Sequence, residues 1–109
     1  MSIHHAKPGE VIDVRPLGEA LSDTKTRALF KTDRIEVLRL VMPAGKTIAE
    51  HKAPGEITVQ CLEGQIDFTT MGQTHALAAG DMLFLAAGEP HALQAHQDSS
   101  VLVTICLPN

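Results

Sequence analysis

Apolar and polar residues alternate along this chain in short runs rich in Val, Ile, Leu and Thr, punctuated by Gly, Pro and Asp. A period of two marks a strand with one face buried. The pattern predicts strands at Val11 to Arg15, Thr26 to Lys31, Arg34 to Val41, Thr47 to Lys52, Ile57 to Leu62, Gln65 to Thr70, Gln73 to Leu77, Asp81 to Leu85, His91 to Ala95 and Val101 to Leu107. Leu17 to Asp23 alone reads as a short helix or turn. Hairpin connections are expected at Thr32-Asp33, Glu63-Gly64, Met71-Gly72 and Gln97 to Ser100, since glycine accepts the positive φ of tight turns. So many short strands imply an all-β, antiparallel sandwich or barrel, because a lone sheet would leave an apolar face in water. The 109 residues suit one domain.

Composition narrows the partners. Lys and Arg total 9 against 13 Asp and Glu, a formal charge of −4, with no basic run. That balance, and the absence of Trp and Tyr, argue against a nucleic-acid partner, which needs cationic surface and aromatic stacking platforms. No apolar stretch approaches the roughly 20 residues that span a bilayer, and the N-terminal residues lack a signal-peptide core. A cytoplasmic protein with no membrane partner is expected. Cys61 and Cys106 sit in apolar runs without CxxC spacing and read as small buried hydrophobes. His4, His5, His75 and His96 read as solvated or loop residues. No Ser, His and acid constellation, phosphate-binding loop or dinucleotide fingerprint occurs, so no nucleotide cofactor is expected.

Two segments carry the chemistry. Pro43 to His51 and Gly80 to His91 each run from a glycine turn through apolar positions to one histidine, which hints at a repeated half-barrel. Alternation turns Glu50 and Lys52 away from the face of His51. It also puts Ile57, Val59 and Cys61 on one face of the next strand, and Glu56, Thr58 and Gln60 on the other.

In these segments the chain resembles a small single-domain cupin, a jelly-roll β-barrel of the RmlC-like, conserved-barrel type, over about residues 34–107, with N-terminal strands over 11–31. Gly45, His51 and Gly64 fit the first cupin motif in register, and Leu62-Glu63-Gly64 is similar to its closing turn. Ala53 stands at the second histidine position and Ile57 at the glutamate position, with Glu56 one residue out of phase. Gly80, Gly88 and His91 fit the second motif, where Ala86 replaces a proline and Ala95 an asparagine. Pro90 keeps the approach to His91 extended.

The resemblance implies a small molecule bound inside the barrel and, in family members with three histidines and a glutamate, a divalent metal that supports dioxygenase, isomerase or decarboxylase chemistry. His51 and His91 are the two such positions kept here. A third ligand could come from Cys61, on the face that the resemblance turns inward, or from Glu56 if a β-bulge at Pro54-Gly55 shifts the register. Without metal, the two imidazoles could bind an anion or move a proton in a non-catalytic binding or sensor module. The resemblance also implies a homodimer formed through the N-terminal strands.

Overall fold

The computed structural model describes residues 5–108, and His4 lies outside them. A 3-10 helix, Gly18–Asp23, precedes nine strands: β1 Arg27–Lys31, β2 Ile35–Met42, β3 Thr47–His51, β4 Ile57–Glu63, β5 Gln65–Thr70, β6 Gln73–Ala78, β7 Met82–Leu85, β8 His91–Ala95 and β9 Ser99–Cys106. They form two antiparallel sheets, β1-β2-β9-β4-β7 and β3-β8-β5-β6. Between the sheets lies the core that the alternation predicts. Ile57, Val59 and Cys61 face inward from β4, as do Ile66 and Phe68 from β5 and Val101 and Val103 from β9.

Two of the four expected hairpins form: β1–β2 across Thr32-Asp33 and β5–β6 across Met71-Gly72. The other two connections are corners. At Glu63-Gly64 the chain leaves the five-stranded sheet and enters the four-stranded one, and between β8 and β9 it crosses back. A short connection fixes where the next strand starts, while the partner is set by which apolar faces must meet, and here strands alternate between the sheets as in a jelly roll. Gly64 has φ +82°, and a Cβ there would collide with Ser99 and the Asp98 carbonyl. Ser99 and Ser100, expected in a turn, belong to β9 and are fully buried; Ser99 Oγ accepts from the Gln65 N–H at 3.1 Å and donates to the Gln97 carbonyl at 2.7 Å.

The strand expected over Val11 to Arg15 does not form. Ile12 and Val14 are half-buried and Val11 is almost fully exposed, but the segment pairs with no strand. The Asp13 carboxylate instead accepts from the Arg15 N–H and Nε at 2.9 and 3.0 Å, and the carbonyls of Val14 and Arg15 accept from Arg39 Nη2. Cys106 is another departure: it ends β9 on the outward side and is exposed, whereas Cys61 is buried. Both thiols are free. Two histidine expectations divide: His5 is exposed, whereas His75 is half-buried in β6 opposite Phe68.

One charged group is buried near the Glu63 corner. Arg39 is 5% exposed, and its Nη2 lies 3.5 Å from the Glu63 carboxylate, which also accepts from the N–H groups of Leu17 and Gly18 at 2.9 and 3.0 Å and from Ser100 Oγ. Burial pushes the Glu63 pKa up, but the donors from Leu17, Ser100 and Gly18 and the Arg39 charge outweigh it and leave it below the usual value. This network fastens the segment before the 3-10 helix to the barrel.

Candidate functional site

The inward positions of the barrel are not equally filled. At one end Met42, Cys61, Ile66 and Val101 pack with essentially no exposure. At the other, the same strands leave a cavity of about 310 Å³ walled by Leu38, Leu40, Val59, Val103 and Ile105, with His51, Lys52 and His91 as its polar side chains. None of the residues lining it is an acid.

His51 and His91 are cross-strand partners on β3 and β8, so the two glycine-to-histidine segments lie side by side. Ile48 and His51 both line the cavity although they are three residues apart, a spacing that would put them on opposite faces of a regular strand. Ile48 pairs with Leu93 and His51 with His91, so β3 carries one residue more than β8 over this interval. That β-bulge at Ala49-Glu50 turns His51, which stays exposed, toward the cavity, as bulges beside sites commonly do.

Each imidazole is fixed in the same way. His51 Nδ1 lies 3.0 Å from the Ala49 carbonyl and His91 Nδ1 lies 3.0 Å from the Glu89 carbonyl. A carbonyl only accepts, so Nδ1 carries the proton in each neutral ring and Nε2 keeps its lone pair. The ring centroids are 4.3 Å apart with planes inclined at 59°. His91 also stacks on Phe68, 5.4 Å between centroids at 9°, and its approach is held by Thr70 Oγ1 donating to the Pro90 carbonyl at 2.9 Å. The Gly88 N–H donates to the Ala53 carbonyl at 3.1 Å, tying together the loops that follow β3 and β7.

Burial lowers the His91 pKa from 6.5; its hydrogen bond to the Glu89 carbonyl opposes this and the adjacent His51 adds to it. At neutral pH His91 is therefore an uncharged base. Its Nε2 can accept a proton from a bound acid and return it as a hydrogen bond.

The other candidate ligands do not join them. Glu56 is exposed and does not line the cavity, because the bulge falls in β3 and the run from Pro54 to Ile57 keeps its register; Gly55 is packed against the Cys106 carbonyl, and the Cys106 N–H bonds to the Glu56 carbonyl at 2.9 Å. Cys61 faces the filled end, its thiol directed at the carbonyls of Glu63 and Gly64 at 3.4 and 3.8 Å, and burial pushes its pKa up. Neither lines the cavity with the imidazoles. Among the described residues no group of three or more His, Cys, Asp or Glu is placed to hold a metal ion. Two imidazoles are fewer than the three or four protein donors of a closed or catalytic site, so these residues do not fit the full metal centre that the resemblance implies. Lys52, expected to face away, lines the cavity because strand alternation ends with β3 at His51. His96, as expected, is exposed, paired with Asp67 at 2.6 Å outside the barrel.

Comparison with known proteins agrees with this architecture. A conserved protein of unknown function from Streptococcus pyogenes superposes with a TM-score of 0.77 at 24% identity, covering 100% of this chain and 97% of that one. A cupin superfamily protein from Desulfitobacterium hafniense gives 0.78 at 21%, covering 94% and 100%. A mutant of salicylate 1,2-dioxygenase from Pseudoaminobacter salicylatoxidans, solved in complex with gentisate, gives 0.64 at 23% over 67% of this chain and 20% of the dioxygenase. No curated protein matches the chain. The family model for the cupin domain matches residues 38–107, the span that holds both histidine segments and the cavity, and the chain belongs to the cupin family.

Proposed function

We propose that the open end of the barrel binds a small organic acid with an apolar body, taken up with its acid proton so that the His91 Nε2–H then donates to the carboxylate, with His51 and Lys52 alongside. One observation carries this reading: the cavity's polar side chains are two imidazoles and a lysine, with no carboxylate among otherwise apolar walls. A volume of about 310 Å³ is at the low end of ligand pockets, which start near ~300 Å³. Ala53 and Ile57, standing where the resemblance calls for metal ligands, supply apolar wall instead.

The test is a thermal-unfolding screen with benzoate, gentisate and short branched carboxylates, read by calorimetry because the chain has no Trp or Tyr. Carboxylates should raise the midpoint by mass action, and a His51→Ala/His91→Ala double variant should lose the shift. Equal shifts from the uncharged amides of the same skeletons would remove the reading.

One feature favours a second reading. An Nδ1 held by a carbonyl with Nε2 free is also how metal-ligating histidines are oriented. Elemental analysis of protein purified without chelator separates the two: near-stoichiometric metal that the double variant lacks would assign the pair to a divalent ion, with further ligands from outside the protein. A homodimer is part of the proposal; Met82 and Phe84, large apolar side chains exposed on the edge strand β7, favour pairing there, at the opposite edge of the sheet from the N-terminal strand β1 through which the resemblance implies it. A clean monomer mass in light scattering at micromolar concentration would remove it. A cytoplasmic setting, where both free thiols stay reduced, is the compartment proposed.

A further inference from the structure

A second concavity lies outside the barrel, where the segment before the 3-10 helix passes over β1 and β2. It is a cleft of about 610 Å³, and its charged lining residues are Asp13, Arg15, Asp23, Lys25, Arg27 and Arg39. Four of the nine Lys and Arg residues of an acidic chain are thus gathered at one place.

These charges are not balanced locally. Asp13 and Arg15 satisfy one another through a 2.9 Å ion pair. The cleft also holds Lys25, Arg27, Arg39 and Asp23, so four cations meet two acids there; Asp13 acts on Arg39 as well as on Arg15, and Glu63 reaches Arg39 from the barrel side at 3.5 Å, longer than the ~2.7–2.9 Å of a close charge-assisted bond. Arg27 and Arg39 are direct partners across the β1–β2 ladder, an arrangement that like charges normally disfavour. Arg39 is 5% exposed, and although its Nη2 bonds to Val14, Arg15, Ser100 and Glu63, its Nε has no acceptor among the described residues. A buried charged group with an unmade hydrogen bond destabilises the fold unless something satisfies it. An anion between Arg27 and Arg39 would relieve both the repulsion and part of the unpaired charge.

We infer that this cleft is a binding site for a small doubly charged oxyanion, inorganic phosphate or the phosphate group of a small metabolite, held by Lys25 and Arg27 over the buried guanidinium of Arg39. Burial, opposed by Glu63 and Asp13 and reinforced by Arg27, lowers the Arg39 pKa, which is the direction an under-neutralised guanidinium takes. The site is separate from the barrel cavity and shares none of its lining residues.

The experiment titrates the full chain with inorganic phosphate and with glycerol phosphate at low ionic strength, followed by amide NMR shifts and by calorimetry. Saturable binding localised to Lys25, Arg27 and their neighbours is expected, weakened at least tenfold by Lys25→Gln/Arg27→Gln and unchanged by His51→Ala. Both substituted positions are exposed, so the variant should keep the fold, which the NMR spectrum checks. Tighter binding of the ester identifies a phosphorylated metabolite, and equal binding identifies free phosphate. No saturable shift, equal shifts with chloride, or unchanged affinity in the double variant would overturn the inference.

Discussion

The two ends of the barrel interior are built from the same strands and differ in how they are filled. On β2, β4 and β9, the inward residues of one end, Met42, Cys61 and Val101, close against each other, while those of the other, Leu38, Val59 and Ile105, wall a cavity. On β8 the same strand runs from Ala95 in the packed end to His91 in the open one. Composition does not make the difference, since both ends are mainly aliphatic. The difference comes from what crosses the gap. At the packed end Ile66 reaches in from β5, Phe68 lies between the two ends against His91, and at the open end the facing positions hold imidazoles and the short side chain of Ala53. A filled end holds the fold together, and an unfilled end leaves room for a ligand.

Truncation should separate the ends most strongly. Ile66 has no exposed surface, so Ile66→Ala should cost about 4 kcal/mol, the transfer loss plus a cavity that close packing cannot collapse. Leu40→Ala, which enlarges a space already present, should cost about 1–2 kcal/mol. Urea denaturation gives both values, and equal losses would show that the open end is packed in solution. Next is the corner at Gly64. Gly64→Ala meets the backbone of Asp98 and Ser99 at a positive φ and should cost about 3 kcal/mol, leaving any ligand response at the open end intact in the folded fraction. Filling the open end should do the reverse. Ala53→Leu should leave stability unchanged or raised and weaken carboxylate binding at least tenfold, about 1.4 kcal/mol. Full affinity in that variant would place the ligand elsewhere.

How much of this was legible in the sequence follows from which parts are local. Strand period locates β1 to β9, and the resemblance of the two glycine-anchored segments to the cupin motifs singles out His51 and His91. Pairing is not local, so Glu63-Gly64 looked like a hairpin and is a corner between sheets. Alternation misplaced Lys52 because it was carried past the end of β3. The bulge at Ala49-Glu50 is silent because nothing in those two residues breaks the apolar and polar pattern, and a bulge was sought instead at Pro54-Gly55, where proline and glycine advertised one. Arg39, a charged residue in the middle of the apolar run from Val37 to Val41, carries the sequence signal of a buried charge with partners. Its partner Glu63 is hidden by its place in a turn-like Glu-Gly pair.

The smallest expected effect is the dependence of stability on pH through His91. The groups facing its ring are His51 and Phe68, with Lys52 lining the same cavity. Burial and the neighbouring imidazole hold the folded pKa below 6.5, with the Glu89 carbonyl opposing, so over the interval just below 6.5 the unfolded chain binds more protons than the folded one. Stability therefore rises with pH across that interval. The His91 contribution is intact above the unfolded value and is lost as pH falls through it toward the folded value. Urea midpoints of the wild type and His91→Gln, measured from pH 8 to pH 5, should diverge on the acid side, with the wild type losing ground; groups common to both chains cancel. Parallel curves would mean that His91 is solvated and that the open end is wetter than its walls imply. A saturating carboxylate should flatten the divergence, because an anion beside the ring favours the imidazolium that burial disfavours. The same titration repeated on Ile66→Ala should keep its slope, since the packed end holds no group that gains a proton in this range.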